Sequence, residues 1–177
     1  PGKPRQEIAE TLTGGIGTKG GGITAKGHRK RLRILLNTTK MNMTDYPIEV
    51  YKDFARAVEG DVKVFHRLVD EGYPEWAAFA NGILGDDKAV LWLLKNGFAE
   101  MGVLANGMDD EPAAMDWLRR HPSPFYYCFC QATKNDKAAL AWLEKNGFPA
   151  FVILSEVIRR AMRRRIKRET FWYKINW

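Results

Sequence analysis

The sequence predicts an all-α chain, a short α-solenoid of four helical-hairpin repeats of about 25 residues, with a flexible Gly-rich basic arm before them and a basic capping helix after them. Three observations predict it. A block recurs four times without a gap, at 60–84, 85–109, 110–134 and 135–159. Its second position is acidic (Asp61, Asp86, Glu111, Asp136), its ninth is leucine (Leu68, Leu93, Leu118, Leu143), and its eighth is Trp92, Trp117 and Trp142 in the last three blocks. Within a block the apolar residues fall at helical spacing: Ala89, Trp92 and Leu93 in the first half of the second block, and Met101, Leu104, Ala105 and Met108 in its second half.

The punctuation divides each block into two antiparallel helices. The acidic second position sits where a carboxylate meets the positive end of the first helix. Gly72, Gly97 and Gly147 sit where a left-handed residue closes it, so each should end a helix. Pro74, Pro124 and Pro149 open the second helix at a first-turn position, where the missing N–H costs nothing. Helices of about ten residues are unstable alone, so stacking must supply the stability, with the Trp, Leu, Phe and Met positions forming a core shared between neighbouring hairpins. Residues 46–59 resemble 73–84, which makes 35–59 an N-terminal cap or half-repeat. The period is too short for tetratricopeptide or HEAT-type units, and the Thr-Pro-Leu-His element of ankyrin units is missing.

The third block departs from the pattern. His121, Pro122, Ser123 and Pro124 replace the Asn-Gly-Phe turn, and Pro122 cannot be a left-handed cap, so this turn must differ. Phe125, Tyr126, Tyr127 and Phe129 crowd the helix that follows. They read either as a local repacking of the core or, for Phe125, Tyr126 and Tyr127, as an outward patch that docks a protein.

Charge is divided along the chain. Of the formal +7, residues 1–34 contribute +6 and residues 155–177 another +6, which leaves 35–154 at −5. Two basic ends on an acidic helical body imply a polyanion for the ends, RNA or DNA, and one or more protein subunits for the body. The arm, 1–34, has no period that could bury a face; its glycines let backbone amides approach phosphates, and Lys26, Arg29, Lys30, Arg31 and Arg33 supply the charge. A phosphate-binding loop for nucleotide hydrolysis needs Gly-Lys-Ser/Thr, and Gly17, Thr18 and Lys19 have the threonine in the wrong place.

The last segment, 160–177, extends the fourth block as a basic amphipathic helix with an aromatic tail. Ile158, Met162 and Ile166 form one stripe, expected to cover the open end of the array. Around it lie Arg159, Arg160, Arg163, Arg164, Arg165, Lys167 and Arg168. Arginine outnumbers lysine there, which suits bidentate contact with phosphate. The tail, Phe171, Trp172, Tyr173 and Trp177, admits three fates: folding back on the last hairpin, stacking on unpaired bases, or lying in an anionic membrane surface.

Catalytic chemistry is not indicated, and neither is a cofactor. His28, His66 and His121 have no second ligand at metal spacing, and Cys128 and Cys130 point about 200° apart on a helix, so they read as small buried hydrophobes. No apolar run is long enough to span a membrane, the first residues lack the pattern of a secretory signal, and the two cysteines fit a reducing, cytoplasmic compartment. The expected function is a non-catalytic adaptor or accessory subunit of a ribonucleoprotein-like assembly. The alternatives are a structural protein of a larger particle, such as a virion or secretion machine, that binds acidic subunits, and a peripheral membrane scaffold.

Overall fold

The computed structural model describes residues 41–175, with the side chains of 169 and 172–175 excepted. The arm 1–34, residues 35–40 and Trp177 lie outside the described residues, as do the side chains of Trp172 and Tyr173. All regular structure among the described residues is helical: α1 (Ile48–Val58), α2 (Val62–Asp70), α3 (Pro74–Ile83), α4 (Asp87–Lys95), α5 (Ala99–Met108), α6 (Pro112–Arg120), α7 (Pro124–Thr133), α8 (Lys137–Lys145) and α9 (Pro149–Ile175).

The helix boundaries follow from capping chemistry. Asp61, Asp86, Glu111 and Asp136 each accept hydrogen bonds from backbone N–H groups of the helix that follows, such as Ala139 N at 2.8 Å for Asp136. Gly72, Gly97 and Gly147 have φ of 89°, 86° and 84° and close α2, α4 and α8 in the left-handed region. The third hairpin turns differently, as Pro122 requires. His121 is extended, its Nδ1 accepts the Ser123 N–H at 3.1 Å, and its ring packs against Trp117 and Tyr126.

The packing makes two layers. Helices α1, α3, α5, α7 and α9 each contact the next, and α9 also contacts α1, so the inner helices close a ring; α2, α4, α6 and α8 each pack outside two consecutive inner helices. An open stack would leave its first and last hairpins apart, whereas here Tyr51 of α1 meets Phe151 of α9 edge to face at 5.2 Å. Glycines on the inner helices allow close packing against their neighbours. A Cβ on Gly107 would stand 2.6 Å from Leu118 Cδ1, which would have to move, and one on Gly82 3.1 Å from Val90 Cγ2 and 3.3 Å from the Ala105 Cβ, a tight fit.

Aromatic rings fill the centre. Trp76 lies against Tyr46, Tyr51 and Phe54, Phe54 stacks on Phe79, and Phe125, Phe129 and Phe151 complete the cluster. Leu68, Leu93, Leu118 and Leu143, the invariant ninth positions, are all buried between the layers. The tryptophans of the eighth position are less buried: Trp92 is exposed, and Trp117 and Trp142 are half-buried against the core. They also brace the turns, Trp92 stacking on Phe98 and Trp142 on Phe148.

Candidate anion-binding face of the C-terminal helix

Helix α9 opens at Pro149 as the fifth inner helix and continues unbroken to Ile175, because no Gly or Pro interrupts it. The segment expected to begin at 160 is therefore one helix with the second half of the fourth block. Its inward row is Phe151, Leu154, Ile158 and Ala161, all buried, and the next member of that row is Arg165. The side chain of Arg165 is only 13% exposed; it donates from Nη1 to the Ile83 carbonyl at 2.8 Å and pairs through Nη2 with Asp109. These partners belong to the C-terminal ends of α3 and α5, where cations are favoured by the helix dipole. Arg165 was expected on the anion-binding surface, and that expectation is corrected: it is held by protein groups.

Two more of the seven cations are partly committed. Arg159 pairs with Glu156 one turn earlier, and this hydrogen bond outweighs the upward push of burial and holds the Glu156 carboxyl below its usual range. Arg160 reaches Glu59 at the end of α1, at 3.1 Å. The others, Arg163, Arg164, Lys167 and Arg168, are exposed and make no hydrogen bond or ion pair with the described residues. At about 100° per residue, Arg160, Arg163, Arg164 and Lys167 share one stripe roughly opposite the buried row. Ile158 is buried and Met162 half-buried, but Ile166 is 52% exposed, so the apolar stripe stops before the cationic one does.

The expected protein-docking patch is corrected as well. Phe125 and Tyr126 are buried, Phe125 among Phe129, Phe148 and Phe151, and burial pushes the Tyr126 hydroxyl up to about 12. Tyr127 is half-buried. Phe125, Tyr126 and Phe129 belong to the core, and Tyr127 packs against it. Cys130 is buried and its thiol is pushed up to about 11, while Cys128 is half-buried and raised by the same cause. Phe171, one of the tail aromatics, is 61% exposed and has not folded back. The cations of the arm, Lys26, Arg29, Lys30, Arg31 and Arg33, lie outside the described residues.

Among the described residues, no group of three or more His, Cys, Asp or Glu could hold a metal ion, and no helix is long and apolar enough to cross a membrane. No family model matches the chain, and neither a curated protein nor a solved structure does.

Proposed function

We propose that the chain is a non-catalytic helical-repeat adaptor of a nucleic-acid-containing assembly, in which the outer face of α9 binds phosphate backbone and the acidic repeat body docks protein. The body is read as a solenoid of four hairpins that curves until its last inner helix meets its first. The arm 1–34 is a second phosphate contact on this reading, and the cytoplasm is the compartment it fits. One observation carries it: α9 presents Arg163, Arg164, Lys167 and Arg168 exposed and without a hydrogen bond or ion pair among the described residues, although Asp and Glu side chains engage Arg159, Arg160 and Arg165 on the same helix. Adjacent cations repel, and a polyanion relieves the repulsion while releasing its own counterions.

The repeat acids support the non-catalytic half of the reading. Asp61, Asp86, Glu111 and Asp136 are engaged as caps at helix starts, a role that explains their presence. Binding through phosphates is expected to be indifferent to sequence.

Co-purification of the full chain from its native host at low salt, with and without nuclease, tests this directly. Partners that are lost on nuclease treatment are the expected result. Partners that all survive it would replace the reading with that of a particle scaffold held by acidic protein subunits.

A further inference from the structure

Beyond Arg165 the outer stripe of α9 gains an aromatic ring. Measured around the helix from Arg163, Lys167 lies at about 40°, Phe171 at about 80° and Arg164 at about 100°. Phe171 is therefore set within the cationic row, one turn beyond Lys167, or about 6 Å along the axis. Ile166 falls roughly 140° from Phe171, on the far side of Arg163 and Lys167. In the half of α9 beyond Arg159, the exposed apolar residues Ile166 and Phe171 thus do not share a face; Ile153, at the angle of Phe171, lies five turns earlier, about 27 Å along the axis. A helix lying in a membrane surface needs its apolar residues together and its cations flanking them, which is not the order found here.

An exposed ring in line with phosphate-binding cations matches a different ligand. In a duplex the base faces are stacked on one another and only edges are open, whereas an unpaired strand offers a π-face beside each phosphate. We infer that the Arg163 to Phe171 face of α9 binds single-stranded nucleic acid, with Arg163, Arg164 and Lys167 on successive phosphates and the Phe171 ring against an unpaired base. The inference rests on the polyanion reading above and narrows its ligand. Stacking of this kind tolerates any base, in keeping with phosphate contacts that carry no sequence information.

The test is fluorescence anisotropy with the full chain and three probes: a labelled 20-nucleotide oligo(dT), a mixed-sequence 20-base-pair duplex, and vesicles of phosphatidylcholine with phosphatidylserine. Phe171→Ala is expected to weaken oligo(dT) binding about tenfold while leaving duplex binding and the melting temperature unchanged, and Phe171→Trp to retain wild-type affinity. Equal losses on oligo(dT) and duplex, no loss on oligo(dT), or a loss confined to the vesicles would each overturn the inference while leaving phosphate binding intact. Wild-type protein that binds neither nucleic acid at low salt would overturn the polyanion reading itself.

Discussion

Asp110 and Asn135, with φ of 62° and 68°, stand at the first position of their blocks, where Gly60 and Gly85 have φ of 102° and 94°. Every block therefore begins on a left-handed residue, and Asp and Asn are the side chains that tolerate that region best after glycine. The next residue is the cap, and its chemistry has a pH consequence. The hydrogen bond from the Val64 N–H is the largest influence holding the Asp61 carboxyl below its ordinary value, and Arg159 does the same for Glu156. A carboxyl lowered in the folded state contributes stability above its unfolded pKa, near 4, and loses it as pH falls through the folded value. Melting temperature should hold steady from pH 7 to about 5 and decline below about 4. In Asp61→Asn, whose amide oxygen can still cap, the decline should be shallower; an identical acid limb would remove Asp61 as a cause. The acidic caps and closing glycines were legible because each rests on a local backbone need. That Gly, Asp and Asn share one conformation at the first position is shown by the dihedral angles alone.

Helix α9 shows where legibility stops at the scale of an element. A row of seven cations reads uniformly along the sequence, because a helix period assigns each residue a direction but not the groups that meet it there. The ends of α3 and α5 reach Arg165 only through ring closure, and Ile83 and Asp109 lie 82 and 56 residues away in sequence. Arg165→Ala should remove charge-assisted hydrogen bonds at a mostly buried position, leave Asp109 and the Ile83 carbonyl to solvent, and destabilise the fold by roughly 2 kcal/mol in urea unfolding. Stability equal to wild type would return Arg165 to the exposed row. Trp92 misleads in the opposite direction. Helical spacing put it in the core, yet it is exposed and stacked on Phe98 at the turn, and the ninth-position leucines occupy the space between the layers.

At the scale of the whole molecule, closure and charge division are linked. The inner helices form a ring around aromatic side chains, and α9, at 27 residues, is far longer than the ten-residue α3, α5 and α7. Its excess length carries Arg160 and Arg165 to the ends of α1, α3 and α5, and leaves Arg163, Arg164 and Lys167 facing away, with Arg168 exposed beside them. Repetition alone does not predict closure, since curvature depends on small differences in packing from one repeat to the next. The division of one helix into an inward arginine and an outward cationic row is the central claim, and the dependence of oligo(dT) affinity on salt tests it most directly. Plotted as log affinity against log salt for the full chain and for Arg163→Ala with Arg164→Ala, the slope should become shallower by about 1.4 in the double variant, as expected for two lost phosphate contacts on a single strand. A slope and an affinity that match wild type would contradict the account and remove this face of α9 from the binding surface.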